Sequence, residues 1–480
     1  MVFSSISFLF LFLPFVFAIY LITPLRFRFI FLLFANLLFY FWGEGKFLEV
    51  MLYSIVLNFF AGILIDRFEN PWKKKFLIAS IFINLVFLFY YKYFNFLTQI
   101  LIDSGVKSIQ NPKVHLPIGI SFFTFQGLSY LIDVYRKDVV GSRNFIHFAM
   151  YISLFSQLIA GPIVRYKDIL NDIITNVLTE EKIVYGIQRF IVGLAKKVII
   201  ANSVAFISDS IFEFNPLDLS TGEAWLGLLC YSLQIYFDFS GYSDMAIGLG
   251  SIFGFRFLEN FNYPYFANSV QDFWRRWHIS LSTWFRDYLY IPLGGSKGSN
   301  SHTFFNLLIV FILCGLWHGA NWTFLAWGLW HGTFLILERM KAFRFLLSMN
   351  LVLKHLYTLL VISLGWVLFR ADNLTYAIQF MQRLFVFEGS EMNMDHYMIL
   401  KLIHVELFII ISIAVLACTP IFKNIYIRLN TFELILNLKK KLFFAILFAL
   451  FENLYYIFLF LVSISYLASG TYNPFIYFRF

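Results

Sequence analysis

The residues best suited to chemistry lie in one stretch, residues 271–332, of a chain otherwise rich in Phe, Leu and Ile. His278 occurs among tryptophans and arginines near its start, and His318 directly follows Trp317 near its end. A neutral imidazole can accept a hydroxyl proton and return it to a leaving group. Two such histidines, each beside a Trp and near glycines, therefore predict a proton-transfer site, whereas a lone histidine at the position of His318 would be read as a hydrogen-bonded core residue.

The residues around these histidines suit a site that excludes water, because indole rings can form dry walls that protect a reactive group from hydrolysis. The spacing of the apolar residues predicts one helix over residues 274–288. The alternative interpretation of this helix is an amphipathic helix at a membrane interface, with Trp anchors and basic side chains. His331 echoes the Trp-His-Gly pattern, and we assign it a structural role. The candidate substrate-binding residues are Trp274, Trp277, Ser282, Trp317, Asn321 and Asp238.

A metal centre is the competing chemistry. Three histidines together with Asp238 or Asp244 could in principle ligate zinc. Their spacing matches no metal-binding motif, and the stretch has no pair of histidines four residues apart. We therefore predict no metal and no bound cofactor.

The composition indicates an all-α, polytopic membrane protein. The 480 residues are 60% hydrophobic and 14% charged, against about 25% charged in soluble domains. We treat residues 1–480 as a single membrane domain. The net charge of +9 is explained by Lys and Arg in short loops, as the positive-inside rule expects, so nucleic-acid binding is excluded.

The order of apolar runs and basic loops predicts about eleven or twelve transmembrane helices, with re-entrant or interfacial pieces. Gly161-Pro162 breaks the apolar segment 145–164, a basic pair interrupts 183–210, and 371–402 is ambiguous. The basic loops place both termini outside the cytoplasm, in the cytoplasmic (inner) membrane. The segment 471–480 is then an outward-facing tail in which Tyr477 carries a nucleophilic hydroxyl.

Five motifs resemble those of the membrane-bound O-acyltransferase family, in its bacterial branch that acylates alginate, peptidoglycan or teichoic acid. The resemblance runs nearly end to end and in order. The motifs are Leu116-Pro-Ile-Gly-Ile-Ser-Phe-Phe-Thr-Phe-Gln126, Gln157-Leu-Ile-Ala-Gly-Pro162, Tyr236-Phe-Asp-Phe-Ser-Gly-Tyr242, Phe273-Trp-Arg-Arg-Trp-His-Ile-Ser-Leu-Ser282 and Gly315-Leu-Trp-His-Gly319.

The resemblance implies a helical ring around a thinned centre, with funnels from both faces that meet near the catalytic histidine, His318. It also implies a second polar position at His278. The expected reaction moves an acyl group, acetyl in the first instance, from a cytoplasmic thioester across the membrane to an extracytoplasmic polysaccharide. Acetyl-CoA and an acyl carrier protein are both open as donors, and an extracytoplasmic partner protein is expected to receive the acyl group.

The tail resembles a C-terminal motif of this branch that is proposed to relay the acyl group as a tyrosyl ester. This implies that His318 activates Tyr477. Two other classes stay open: a transporter or flippase of a lipid-linked glycan, and a non-catalytic scaffold of an acylation complex. A transporter would need charged, discontinuous helices at the middle of the membrane and often has internal pseudo-symmetry. The sequence shows no repeat.

Overall fold

The computed structural model describes all residues except 1, 107, 176, 387–403, 436–437, 471, 475 and 477–480. The described residues form helices and loops and contain no β-strand, which confirms the all-α prediction. The first half contains α1 Leu13–Ile22, α2 Leu25–Glu44, α3 Leu48–Arg67, α4 Trp72–Asp103, α5 Ile120–Arg136, α6 Phe145–Ser153, α7 Phe155–Leu158, α8 Tyr166–Thr175, α9 Glu180–Ala195, α10 Asn202–Glu213 and α11 Thr221–Ile252.

The second half begins with two short helices and ends with long apolar ones. Its helices are α12 Val270–Arg276, α13 Ile279–Phe285, α14 Asn300–His318, α15 Trp322–Arg339, α16 Arg344–Ser348, α17 Leu351–Arg370, α18 Leu374–Arg383, α19 Val405–Ala417, α20 Ile421–Ile435 and α21 Leu438–Ala468.

Within the described residues, six helical segments are long and apolar enough to cross a membrane, or seven if a bent pair is one span. The protein is therefore polytopic, but this count is lower than the eleven or twelve crossings expected from sequence. The helix α11 shows one reason, since it carries Asp238 and Asp244. Both aspartates are buried, so protein rather than lipid surrounds them.

The central helix α11 packs closely against α9 because both carry glycines at the contact. A Cβ atom built on Gly193 would lie 2.5 Å from the carbonyl oxygen of Gly241, and one on Gly241 would lie 2.7 Å from that of Gly193. Gly186 and Gly248 form the same kind of contact. Such close backbone approach is typical of helix pairs in membranes. It places α11 at the centre of the fold.

Both apolar segments with a predicted break are interrupted in the structure, but one break lies at another position. The segment 145–164 divides at Leu154 into α6 and α7, whereas Gly161-Pro162, the predicted position of the break, lies in the loop after α7. The segment 183–210 changes at Lys196–Ala201 into a π-helical turn that joins α9 to α10. In the ambiguous region 371–402, α18 is described, and residues 387–402 lie outside the described residues.

Several loops with basic residues that the sequence assigned to the cytoplasm meet on one face of the molecule. Arg143 pairs with Asp66 at 2.7 Å, and Arg165 pairs with Asp287 at 2.8 Å. The first pair connects the end of α3 with the loop after α5, and the second connects the loop after α7 with the turn after α13. On the turn after α2, Glu44 lies 3.2 Å from His115.

Candidate active site

His318 lies at the C-terminal end of α14 and lines two cavities. The helix α14 approaches α15 closely at Gly315 and Gly328, where an added Cβ would collide with the backbone of the partner helix. The ring of His318 packs edge-on against Trp327 at 5.2 Å and against Phe369 at 5.1 Å. This aromatic packing fixes the ring where the two cavities meet.

The first cavity is narrow and almost wholly apolar. It has a volume of about 10 Å³, which is room for about one water molecule, and its lining includes part of the tail. Such a surface excludes water, which favours acyl transfer over hydrolysis. The lining residues are Ile235, Phe239, Trp277, His318, Trp327, Trp366, Phe369 and Ile476.

The second cavity is wider, at about 380 Å³, and more polar. It runs from Trp317 and His318 to Glu44 and His115, and the exposed His115 marks its mouth. The sequence assigns the turn after α2 and the loop before α5 to the outer side. By that predicted orientation, this cavity opens outward.

Lys92 is a residue that sequence analysis did not single out, although it also lines the wider cavity. Its ammonium group donates to the carbonyl oxygen of Trp317 and to Oγ of Ser121, the latter at 3.2 Å. The hydroxyl of Tyr93 donates to the carbonyl oxygen of Leu316 at 2.8 Å. Carbonyl groups at a helix C-terminus need donors, and a cation there is favourable. Lys92 and Tyr93 therefore fix the last turn of α14, which carries His318.

His278 adopts a backbone conformation that the sequence did not predict. The expected single helix over 274–288 is wrong, because α12 ends at Arg276 and α13 begins at Ile279. Between them His278 has φ 42°, in the left-handed region. The backbone N–H at the start of α13 is satisfied, because the carbonyl oxygen of Asn260 accepts the Ile279 N–H at 2.9 Å.

Asn260 also determines which nitrogen of His278 carries the proton. Its Oδ1 accepts the Ser280 N–H at 3.2 Å and lies 3.1 Å from His278 Nδ1. Because a backbone N–H can only donate, this amide oxygen is an acceptor, and Nδ1 of a neutral His278 must donate to it. The lone pair then lies on Nε2, which is buried and has no hydrogen-bond partner among the described residues.

The two histidines share one aromatic neighbour. Trp317 lies 6.0 Å from the ring of His278 and 5.0 Å from the ring of His318. His278 also packs edge-on against Phe239, at 4.6 Å between ring centres, and Phe239 lines the narrow cavity. The structure therefore brings His278, His318 and Trp317 into one cluster.

The other predicted site residues divide into two groups. Trp277 lines the narrow cavity, and Asp238 accepts the N–H of Ile476, which lines it too. Trp274, Ser282 and Asn321 do not line the two cavities. Each of these three side chains makes a structural contact instead.

Trp274 packs against Trp327 and, at 5.0 Å, against His331. The hydroxyl of Ser282 donates to the carbonyl oxygen of Trp277 at 3.4 Å. The side chain of Asn321 caps α15 by accepting the Thr323 N–H. Its amide nitrogen also donates to the backbone carbonyl oxygen of Asp372 at 3.0 Å. His331 is buried in this aromatic cluster, which fits the structural role assigned to it.

We expect His278→Ala to lower acyl transfer, but by less than His318→Ala, since His278 lies behind Trp317 and Phe239 rather than on a cavity wall. Initial rates of purified, folded variants would test this. The control is Asn260→Asp, which keeps an acceptor for Nδ1. An equal and complete loss in both histidine variants would instead assign both histidines direct roles in the chemistry.

Tyr477 lies outside the described residues, and its predicted role stays a prediction. Its preceding residue, Ile476, is buried in the narrow cavity. The described tail residues 472–474 also contact the protein interior. The part of the chain adjacent to Tyr477 is therefore held beside His318.

The described residues contain no group of three or more His, Cys, Asp or Glu side chains arranged to hold a metal ion. Asp244, one of the alternative zinc ligands, instead pairs with Arg189 and Lys196, each at 2.7 Å. Asp238 lies 2.9 Å from Lys197. Both carboxylates are therefore held by cations.

Known bacterial acyltransferases are similar in sequence to this chain. The chain is 45% identical over 395 residues to a probable alginate O-acetylase, AlgI, from Azotobacter vinelandii, covering 81% of this chain and 78% of that protein. It is 36% identical over 416 residues to a peptidoglycan O-acetyltransferase from Helicobacter pylori, covering 79% of each. It is 32% identical over 233 residues to a teichoic acid D-alanyltransferase from Bacillus subtilis, covering 44% of this chain and 58% of that protein.

The model of the membrane-bound O-acyltransferase family, MBOAT, matches residues 135–375. This range includes α14 with His318 and the loop with His278, together with most residues of the narrow cavity. With the extent of identity to its relatives, the match identifies the chain as a multi-pass membrane O-acyltransferase that belongs to the MBOAT family.

Proposed function

We propose that the protein transfers an acetyl group from a cytoplasmic thioester donor to the outer face of the cytoplasmic membrane, for O-acetylation of an envelope polysaccharide. The observation that carries this proposal is the position of His318 between two cavities. One cavity extends to the face predicted to be outside, and the other contains the tail residue Ile476. The names of the relatives support the acetyl group and the polymer class.

In this mechanism His318 is the general base, and it would take the proton of an attacking hydroxyl group while that oxygen attacks the thioester carbonyl. A thiol leaves, and the acyl group becomes an ester. His278 Nε2 is a second acceptor within the same aromatic cluster. The apolar lining of the narrow cavity would keep water away from the thioester.

The attacking hydroxyl in this proposal belongs to Tyr477. A phenol has a pKa of about 10, so it needs a base such as His318 to react at neutral pH. An ester on the tail would hold the acyl group where an extracytoplasmic protein can collect it. The wider cavity, with its mouth at His115 and Glu44, would be the approach for that partner.

The donor can be determined with the purified protein in lipid vesicles. We expect acetyl transfer from acetyl-CoA or from an acetylated carrier protein supplied on the face of the loops after α3 and α5. The same donor on the opposite face should give no transfer. Transfer from both faces at equal rates would contradict a cytoplasmic donor site.

The same vesicles separate the enzyme from a flippase, because a flippase would move a fluorescent lipid-linked glycan with no donor present. A scaffold would show neither activity, and acyl transfer would then depend on another protein. Acetyl transfer by the purified chain alone would exclude the scaffold.

A further inference from the structure

A buried ion pair joins the π-helical turn after α9 to the central helix. Nζ of Lys197 lies 2.9 Å from Oδ1 of Asp238, and the two side chains are 2% and 1% exposed. Burying two charges is expensive, and replacing such a pair with apolar residues is often neutral or stabilising. A buried ionic pair inside a membrane protein is therefore better explained by a function than by stability.

The C-terminal tail uses the remaining hydrogen-bonding capacity of this pair. Lys197 donates to Oδ1 of Asn202 at 2.8 Å and to the carbonyl oxygen of Pro474. Oδ2 of Asp238 accepts the N–H of Ile476 at 2.8 Å. The ammonium group therefore donates to two acceptors and lies beside Oδ1 of Asp238 as its ion-pair partner. Both contacts to the tail are to backbone atoms.

Further contacts extend this arrangement along α10. The hydroxyl of Tyr472 donates to Asp209 at 3.0 Å, and Asn202 donates to the side chain of Asn473 at 3.1 Å. As the tail runs from Tyr472 to Ile476, its partners run backward along the helix from Asp209 to Lys197. The described residues of the tail therefore run antiparallel to α10 and reach the ion pair at Ile476.

The two adjacent lysines of the π-helical turn have different partners, because successive side chains on a helix point in different directions. Lys196 is 27% exposed and pairs with Asp244, whereas Lys197 is buried and pairs with Asp238. Turns of this kind occur frequently at functional sites. Here Lys197 contacts the tail.

We propose that Lys197 and Asp238 are positioning residues that bind the backbone of Pro474 and Ile476 and hold this part of the tail beside His318. Asp238 accepts the N–H of a residue that itself lines the His318 cavity. Because the contacts are to the backbone, the pair would hold the segment whatever its side chains. The role in catalysis rests on the proposed use of the tail, but the binding can be measured without it.

The test uses the full-length chain with the double substitution Lys197→Met and Asp238→Leu, which removes both charges and leaves no unpaired ion. The matched control is Lys196→Met with Asp244→Leu, an equivalent pair on the same helices in which Arg189 keeps Glu259 as a partner. Hydrogen exchange of the tail amides is followed by mass spectrometry, and thermal unfolding is measured in parallel.

We expect exchange of the Ile476 amide, whose N–H donates to Asp238, to become at least about tenfold faster in the first variant and to change little in the control, because hydrogen bonds to charged groups are the strong ones. The global unfolding temperature should be similar in the two variants. Acyl transfer should fall mainly through kcat, with KM for the donor unchanged, since in the proposed mechanism the pair holds the attacking tail and not the donor.

Unchanged tail exchange in a folded Lys197→Met, Asp238→Leu variant would overturn the proposal. Faster exchange with the same loss in the control would also overturn it, because the tail would then respond to general loosening of α9 and α11. If the tail is released as expected but the wild type never carries an acyl group on its tail, the binding role stands and the tyrosyl relay fails.

Discussion

We expect His318→Ala to abolish acyl transfer while the protein remains folded. The side chain lies at the meeting point of the two cavities, and loss of a general base typically lowers a rate by roughly 10² to 10⁴-fold. The ring makes its contacts with the edges of Trp327 and Phe369, so its loss leaves the glycine-mediated packing of α14 and α15 in place. The measurement is the initial rate of acetyl transfer by purified protein in vesicles.

His331→Ala is the matched control. This histidine packs against the same Trp327, at 5.0 Å between ring centres, but does not line either cavity. Damage to the aromatic cluster would affect both variants, whereas loss of the base affects His318→Ala alone. Near-normal transfer by folded His318→Ala would contradict the assignment, and equal losses in both variants would assign the effect to packing.

The sequence predicted the class of the protein and the identity of the central histidine, because these depend on composition and on local motifs. It did not predict the conformation of His278. A regular stripe of apolar residues over 274–288 favours one helix. The break depends on Asn260, which lies outside this stretch of sequence and contacts His278 and Ile279 only after folding. Such long-range backbone contacts override local periodicity.

The contacts of charged residues inside the membrane domain also depend on residues that are distant in sequence. Lys92 lies in an apolar run, and a lone lysine there is a signal that sequence analysis could have used. Its partner, the carbonyl oxygen of Trp317, is 225 residues away, so its effect on α14 could not be inferred. Lys197 was recognised as part of a basic pair, but its burial depends on the π-helical turn and on the tail.

We expect Tyr477→Phe to stop polymer acylation while expression and partner binding stay normal. The substitution removes one oxygen atom and keeps the aromatic ring, so binding of the tail should change little. The tail is held through Pro474 and Ile476, and neither contact involves the hydroxyl of Tyr477. Without that hydroxyl, no tyrosyl ester can form at this position.

Tyr466→Phe is the matched control for this variant. Tyr466 lies near the end of α21, before the tail, and its hydroxyl donates to Glu406. Loss of that hydroxyl removes a contact outside the site, so near-normal acylation is expected. A comparable loss in the two variants would indicate that the end of the chain is simply sensitive to substitution.

The relay also makes a chemical prediction that does not depend on a polymer. When the purified wild type is given donor but no acceptor, the acyl group should accumulate on Tyr477 as an ester, detected by mass spectrometry of the C-terminal peptide. The ester should be absent from His318→Ala, because the phenol needs a base to attack the thioester. If Tyr477→Phe acylates polymer at the normal rate, the relay is wrong, and direct transfer from the donor to an external hydroxyl at His318 becomes the better mechanism.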